Sequence, residues 1–238
     1  MSLFKKRWIL AQQSEKSWWE KQIDAIDFNY FKRFAGDLLI EINGVASIDS
    51  QTRILEIGSG PAGILTYLPS NHRFAIDPLE HFYGTQSRCR EIRDSEVKYA
   101  AAQAEYLPYT DNSFDFLIID NILDHCENID AVFSEMKRVL KPGGIIYLRN
   151  FTHTQWGILL ANLLEIFKVD QGHPYHFRES DLLKHFSIHE FKILRLKKRG
   201  FFKHLYNLLS ARKVSHLLRA LSFSQADKIL FLLSNTKK

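Results

Sequence analysis

Ile54-Leu55-Glu56-Ile57-Gly58-Ser59-Gly60-Pro61-Ala62-Gly63 is the stretch of this sequence that decides the fold. An apolar run ends beside an acidic residue, and glycines follow with the spacing G-x-G-x-x-G. The pattern predicts a buried strand that turns sharply into a helix, with backbone N–H groups bared at the turn. Such a turn binds an adenosine-type cofactor. Several cofactor classes share the spacing, so the rest of the chain must distinguish them.

The composition is that of a globular protein with one main domain. The chain has 238 residues, of which 45% are hydrophobic and 25% are charged, enough for a sizeable core in one α/β domain with elaborations. The small number of cysteines, Cys89 and Cys126, favours a reducing compartment. No run reaches the ~18 apolar residues of a membrane span, and the apolar run after the basic start is too short for an export signal. We therefore expect a cytoplasmic protein.

Charge is distributed unevenly along the chain. Residues 192–238 contain 12 Lys or Arg and one acidic residue, Asp227, whereas the rest of the chain carries more acids than bases. A basic end on an acidic body suggests an anionic partner such as nucleic acid, phospholipid or a phosphorylated substrate. A solvated helix face explains the same charge equally well.

Strands and helices alternate between residues 51 and 150. Strands are predicted at 53–57, 74–76, 97–101, 116–119 and 145–148, and helices at 80–93 and 129–140. The run Lys141-Pro142-Gly143-Gly144 is expected to end the second helix. Such alternation predicts an α/β fold with parallel strands, right-handed crossovers and a doubly wound sheet. Ligands of these sheets bind at the carboxyl ends of the strands.

The two ends of the chain are expected to add to this core. Apolar side chains in residues 1–50 recur at helical spacing, and we predict a helical cap that packs on a domain formed by residues 51–238. Helices are predicted at 156–167 and 180–186, a strand at 188–196, and a basic amphipathic helix at 201–221. Residues 229–233 fit either a helix or a last strand.

Three further features restrict the choice of cofactor. Glu56 places an acid inside the end of a strand, where a nicotinamide-binding strand is usually apolar. Residues 104–109, Ala-Glu-Tyr-Leu-Pro-Tyr, precede a turn-forming run at 110–113 and an aspartate at the fourth strand. Residues 135–144 read Glu-Met-Lys-Arg-Val-Leu-Lys-Pro-Gly-Gly. By contrast, an acid nineteen residues after Gly58, Asp77, suits several cofactors.

Taken together, these residues resemble the class I S-adenosylmethionine-dependent methyltransferases, in particular their small-molecule branch. The order and spacing of four motifs across residues 50–150 carry the resemblance. It implies a mostly parallel, seven-stranded, Rossmann-like methyltransferase sheet with N-terminal helices and a helical C-terminal insertion. It also implies S-adenosylmethionine as cofactor, acceptor-side elements in residues 150–238, and a basic amphipathic insertion at 199–225.

The resemblance implies a set of cofactor-binding residues along these motifs. Asp77 is similar to the acid that binds the adenosine ribose, and Ala104 and Glu105 match the position that flanks the adenine. Ala62 stands where the family's turn often has glycine, and we expect binding to survive the extra methyl group. No metal site is expected. The full set is Glu56, Gly58, Ser59, Gly60, Gly63, Asp77, Pro78, Ala104, Glu105, Asp120 and Asn121.

Methyl transfer from a sulfonium mainly requires that donor and acceptor are held in line and water is excluded. A base is needed only if the acceptor is protonated at the working pH. The candidate catalytic residues are His125, near the end of the fourth strand, and His173 and His176, on an aromatic loop that in this family often covers the acceptor. Asn121 and Asp124 follow the same strand, where helix N-capping explains them equally well.

Other functions stay open at this point. The basic end suits an RNA methyltransferase, although the fourth strand is followed by Asp120-Asn121-Ile122-Leu123 and not by an amino-methylation motif. A nicotinamide-dependent oxidoreductase and a non-catalytic relative are the further alternatives. The expected partners are a small-molecule or lipid-like acceptor and an anionic membrane surface at 199–225, with nucleic acid less favoured. Oligomeric state is not predicted.

Overall fold

A computed structural model of the protein describes residues 3–159, 175–198 and 227–236. Within these ranges, no helix combines the length and the apolar character needed to cross a bilayer. The basic insertion predicted at 199–225, most of the helix predicted at 156–167, and His173 lie outside the described residues.

Seven strands form one sheet with the order β3-β2-β1-β4-β5-β7-β6. Only β7 runs antiparallel to its neighbours, β5 and β6, while the pairs from β3 across to β5 are parallel. The predicted α/β fold, with a doubly wound and mostly parallel seven-stranded sheet, is therefore confirmed. The strands are β1 Arg53–Ile57, β2 His72–Asp77, β3 Lys98–Ala101, β4 Phe114–Asp120, β5 Leu140–Thr152, β6 Phe191–Lys198 and β7 Asp227–Asn235.

Six α-helices with defined ends surround the sheet in the described ranges. The N-terminal segment contributes α1 and α2, as the helical spacing of residues 1–50 predicted, and the division of the chain at residue 50 stays a prediction. The helices are α1 Leu3–Gln22, α2 Phe28–Ile42, α3 Glu80–Tyr83, α4 Ser87–Ile92, α5 Ile129–Val139 and α6 Glu179–Ile188.

The two faces of the sheet carry separate hydrophobic cores. On one face, α2 buries Phe34 and Leu38 against the strands. On the other face, α5 buries Phe133 and Met136, together with side chains of α6. Burial on both faces explains the almost continuous apolar run of β4.

The glycine turn after β1 does not lead into an α-helix, which contradicts the prediction. The connection from β1 to β2 contains one short 3₁₀ helix, Leu65–Tyr67. Only fourteen residues, 58–71, separate the two strands, and Pro69, which follows the 3₁₀ helix by one residue, cannot donate a helical hydrogen bond. The N–H groups of Gly58 and Ser59 are also not bare, because both donate to the Ile76 carbonyl, at 2.8 and 3.1 Å.

The helix predicted at 80–93 is two short helices. Gly84 ends α3, and α4 begins three residues later at Ser87. The side chain of Thr85 donates to the Phe82 carbonyl at 2.7 Å, and glycine costs more backbone entropy in a helix than other residues. Local side-chain hydrogen bonds of this kind compete with helix continuation.

The run Lys141–Gly144 lies inside β5 and not between α5 and the strand. Helix α5 ends at Val139, and β5 begins at the next residue. The β4–β5 register shifts between Phe114, which pairs with Leu140, and Phe116, which pairs with Ile145. Gly143 has a φ of 73°, so the extra residues form a bulge that favours glycine.

The structure changes the start of one strand predicted near the C-terminus and decides the secondary structure of another segment. The strand predicted at 188–196 begins three residues later, because Ile188 ends α6 and Glu190 adopts a φ of 55°. The ambiguous run 229–233 is the centre of β7, where it pairs with β5 and β6. Burial between two strands, and not helical periodicity, explains its continuous apolar character.

Arg138 joins the end of α5 to the loop before β4. Its guanidinium donates to the carbonyls of Leu107 and Tyr109, at 3.0 and 2.6 Å. It also pairs with Glu135 at 2.6 Å and with Asp111 at 3.0 Å. Five such donors in one planar fork are specific to arginine.

We expect Arg138→Ala to lower the free energy of unfolding by about 2 kcal/mol, because two carbonyls and the Glu135 carboxylate lose their donor. Arg138→Lys should recover only part of this loss. Urea denaturation measures both. The control is Arg33→Ala, whose ion pair with Asp27 is more than half exposed and should contribute far less to stability. Equal losses in the Arg138 and Arg33 variants would contradict the structural role.

Candidate functional site

A cavity of about 490 Å³ opens at the carboxyl ends of β1, β2 and β4. In the sheet order, β1 lies between β2 and β4, so the strand order reverses here. This is the place where doubly wound sheets bind ligands. The predicted site residues that line the cavity are Gly58, Ser59, Gly60, Asp77, Pro78, Ala104, Glu105, Asp120, Asn121 and His125.

Glu56 supports the glycine turn from behind and is not among the cavity-lining residues. Its carboxyl group is buried and accepts the Ile64 N–H at 3.0 and 3.2 Å. Gly63 has a φ of 67°, and a Cβ there would lie 2.4 Å from Glu56 Oε2. Of the two roles open to Glu56, orienting the turn or reaching a cationic group, the contacts favour the first. Burial raises the pKa of this carboxyl to about 8.

Asp77 faces the cavity with a carboxylate that is already anchored. Oδ2 accepts the Gly60 N–H at 2.9 Å, and Oδ1 accepts the Leu79 N–H at 2.8 Å. Burial raises the pKa of Asp77 to about 6, so it is ionised at neutral pH. Each oxygen keeps an acceptor site beyond its backbone donor, which fits the hydroxyl groups of a ribose.

Glu105 fixes the segment between β4 and α5 from the opposite wall. Its side chain is buried, and Oε1 accepts the N–H groups of Glu127 and Asn128 at 2.6 and 3.2 Å. The adjacent Ala104 and Ala102 present small apolar surfaces to the cavity. A narrow apolar wall of this kind fits a planar adenine ring.

Asp120 lines the cavity, but its carboxylate is bound by two cations. Arg149 Nε and Nη2 donate to it at 2.7 and 2.5 Å, and Lys228 Nζ lies 3.1 Å away. Burial alone would raise the pKa of Asp120, but the bonds from Arg149 and the charge of Lys228 outweigh it and hold the pKa below its ordinary value. Asp120 therefore joins the ends of β4, β5 and β7.

Asn121 and Asp124 do not cap α5. The N-cap is Asn128, whose side chain accepts the Ala131 N–H at 3.2 Å. Asn121 instead adopts a φ of 56° and accepts the Phe151 N–H at 3.2 Å. The N-capping interpretation of Asn121 and Asp124 is thus wrong, because the chain makes a 3₁₀ turn at Leu123–His125 before α5 begins.

An aromatic wall from α1 and α2 closes the cavity, and the sequence did not indicate it. The tryptophan spacing predicted a helix, but nothing in it showed that this helix crosses the mouth of the sheet. Trp18 and Trp19 meet edge to face with ring centres 4.7 Å apart. The wall consists of Trp8, Trp18, Trp19, Tyr30 and Phe31, with Glu15 and Asp27 among them.

His125 lies where this wall meets the sheet. Its Nδ1 is 3.4 Å from Glu15 Oε2 in α1, and its Nε2 is 3.8 Å from Asp124 Oδ2. Glu15 also accepts the indole N–H of Trp19 at 3.1 Å. The pair of Glu15 and His125 therefore brings an imidazole and a carboxylate together at the cavity, from parts of the chain 110 residues apart.

Of the other two candidate histidines, only His176 is described, and it does not lie at this place. His176 packs edge to face against His153, with ring centres 5.1 Å apart, and is not among the cavity-lining residues. His173 lies outside the described residues. The role of both histidines stays a prediction.

Comparison with known proteins gives the same family as the motifs. The family model of the methyltransferase domain matches residues 55–148. Residues 55–148 are a class I methyltransferase domain. The family and the cofactor class predicted from the motifs, S-adenosylmethionine-dependent methyltransferases of the small-molecule branch, are confirmed.

The relatives have different names and resemble only part of this chain. A biotin biosynthesis bifunctional protein of Cellvibrio japonicus is 30% identical over 98 residues, 41% of this chain and 19% of that protein. A ubiquinone/menaquinone biosynthesis C-methyltransferase of Shewanella pealeana is 43% identical over 63 residues, 26% of this chain and 25% of that protein. The chain thus spans about a fifth to a quarter of the length of these curated relatives.

A solved structure extends the similarity of the fold across most of the chain. Geranyl diphosphate C-methyltransferase of Streptomyces coelicolor was crystallised with Mg²⁺, geranyl diphosphate and S-adenosyl-L-homocysteine. It superimposes with a TM-score of 0.63 over 84% of this chain and 76% of that chain, at 14% identity. At this identity the likeness establishes the fold alone.

We expect Gly63→Ala to lower the free energy of unfolding by about 3 kcal/mol, because it adds left-handed strain and displaces the buried Glu56 carboxylate. The matched control is Gly143→Ala. Gly143 has a similar φ of 73°, but no atom lies within 4 Å of its added Cβ, so strain alone should cost about 1 kcal/mol. Urea denaturation separates the two values. Equal losses would show that Glu56 does not restrict the turn.

Proposed function

We propose that the protein transfers the methyl group of S-adenosylmethionine to a small-molecule acceptor. One observation carries the proposal: a single cavity joins the motif residues at the carboxyl ends of β1, β2 and β4 to the aromatic wall of α1 and α2. The first part fits the donor, and the second part leaves room for an acceptor beyond it.

The donor is expected to lie along the strand ends. Asp77 would accept the ribose hydroxyls, and Ala104 would lie against the adenine. Gly58 and Gly60 adopt φ values of 74° and 58°, which favour glycine. Because glycine has no side chain, neither residue obstructs the path of the cofactor. When bound, the cofactor supplies an activated methyl group. The protein then has to align the two reactants and exclude water.

His125 is proposed to remove a proton from the acceptor. It lies at the boundary between the two parts of the cavity, and Glu15 orients the ring through Nδ1. An imidazole held by a carboxylate is a suitable base near neutral pH, and the carboxylate stabilises the protonated ring. Glu15 is a positioning residue in this proposal.

The acceptor is proposed to be apolar or aromatic, with a group that loses a proton. Three tryptophans, a tyrosine and a phenylalanine form its wall, and such surfaces bind rings and hydrocarbon chains. The relatives named for ubiquinone/menaquinone and for geranyl diphosphate support a prenylated or otherwise lipid-linked acceptor.

Three further proposals rest on the sequence. Residues 199–225 are proposed to contact an anionic membrane surface, because the segment is basic and its apolar residues recur at helical spacing. The protein is proposed to be cytoplasmic and peripheral to the membrane. The small number of cysteines supports that location.

Binding of S-adenosylhomocysteine should depend on the charge of Asp77. Its pKa near 6 means that the carboxylate is present above pH 7 and is lost as the pH falls through 6. A protonated carboxyl is a poorer acceptor for ribose hydroxyls, so affinity should be constant from pH 7 to 8 and fall below pH 6. Calorimetry from pH 5 to 8 measures this dependence.

Asp77→Asn should weaken binding by roughly 10- to 100-fold and remove the pH dependence. The control is Asp24→Asn, at an exposed position outside the cavity, which should bind like the unmodified protein. A pH-independent affinity would exclude Asp77 from the ribose site. No binding at millimolar S-adenosylhomocysteine would refute the proposed function as a whole.

His125→Gln should lower kcat by on the order of 100-fold or more, with little change in S-adenosylhomocysteine affinity, because it removes a base and leaves the donor site intact. Glu15→Gln should lower kcat less and change its pH profile. Radiolabelled methyl transfer to a short prenylated hydroquinone and to geranyl diphosphate are the assays. The matched control is His81→Gln, on the exposed side of α3. Full turnover by the His125 variant would contradict the assignment.

A further inference from the structure

Asp130, His185 and His189 form a cluster outside the methyl-transfer cavity. Asp130 is in the first turn of α5, His185 is in the last turn of α6, and His189 directly follows that helix. Asp130 Oδ1 lies 3.0 Å from His185 Nδ1 and 3.6 Å from His189 Nε2. One donor atom from each side chain lies within 4.8 Å of the other two.

The two imidazoles are held in place by a buried ring. Phe133 is fully buried, and it stacks on His185 at 5.2 Å and 12° and on His189 at 5.7 Å and 26°. Because the histidines are four residues apart, they lie on the same side of α6. Little side-chain freedom is left to lose when a ligand binds both of them.

Hydrogen bonding accounts for only one of the two imidazoles. His185 is within hydrogen-bond distance of Asp130 Oδ1. His189 Nε2 points at the same carboxylate oxygen, is buried, and has no hydrogen-bond partner among the described residues. A buried nitrogen without a partner is costly, and a ligand shared by both imidazoles and the carboxylate would remove that cost.

We propose that Asp130, His185 and His189 bind a divalent transition-metal ion, with Zn²⁺ as the best fit. Tetrahedral zinc at its usual bond lengths places neighbouring donor atoms roughly 3.3 Å apart, and the distances of 3.0 and 3.6 Å lie on either side of that value. Two imidazoles and one carboxylate suit zinc, cobalt and nickel and do not suit magnesium or calcium.

The metal would be structural with respect to methyl transfer. It would join the start of α5 to the end of α6, two helices whose side chains share one core. The side chain of Asp130 is 68% exposed, and a cleft bordered by Asp130, His185 and Glu127 reaches the cluster from solvent. Water can therefore enter and complete the coordination.

The experiment is a titration of the chelator-treated full chain with Zn²⁺ at pH 7.5, followed by calorimetry. One equivalent should bind with a Kd on the order of 10 µM or tighter. The test variants are His189→Gln, His185→Gln and Asp130→Asn, and each should weaken binding by at least about 100-fold, more than the loss of an indirect partner costs. The matched control is His81→Gln, which should bind Zn²⁺ normally.

Two further readouts identify the site even where a variant is less stable. Co²⁺ in place of Zn²⁺ should give the visible absorption of a tetrahedral site with nitrogen and oxygen ligands. Zn²⁺ should raise the Tm of the unmodified protein and of the His81 variant but not that of Asp130→Asn, whose exposed change preserves the fold. Binding weaker than about 1 mM, or binding unchanged by the three substitutions, would overturn the proposal. Neither result would affect the methyltransferase assignment.

Discussion

The buried carboxyl group of Glu56 holds the glycine turn by accepting the Ile64 N–H, and Gly63 leaves just enough room for it. From outside the turn, Arg93 donates to the Pro61 carbonyl at 2.9 Å, and Tyr99 donates to the Ala62 carbonyl at 2.9 Å. The turn is thus held on both sides by polar contacts. Because Gly60 in turn donates to Asp77, the position of the cavity's main acceptor depends on the same contacts.

The parts of the fold that could be predicted are those with short-range signals. Motif order identified the domain, and apolar runs located all seven strands, including β7, where the sequence left a helix open. The missed details depend on contacts between distant residues or on chain length. Pro69 limits helix formation in the 58–71 connection. Thr85 interrupts the helix predicted at 80–93, and the bulge at Gly143 appears only when β4 and β5 are paired.

The residues of the candidate site also fall into those that the sequence could place and those that it could not. Asp77, the last residue of β2, and Asn121, directly after β4, both line the cavity because the carboxyl ends of parallel strands share one edge. Their binding of the cofactor stays a prediction. The aromatic wall and Glu15 could not be placed, since helical spacing does not say which part of a sheet a helix crosses. The sequence also did not show that Asp120 is paired with two cations, because Arg149 and Lys228 are 29 and 108 residues away from it. The proposed metal site could not be predicted for the same reason. The His-x-x-x-His spacing of His185 and His189 is common, and the carboxylate of Asp130 lies 55 residues before His185.

The three-residue 3₁₀ helix after the glycine turn has an electrostatic consequence. A long helix at this position would direct the positive end of its macrodipole at the ligand, which suits phosphate groups. Here the segment from Gly58 to His72 has no such helix, and the N–H groups of Gly58, Ser59 and Gly60 are already used by Ile76 and Asp77. The donor part of the cavity, at the glycine turn, is therefore poorly suited to the pyrophosphate of a dinucleotide. It suits a donor that carries no phosphate and whose sulfonium is itself positive.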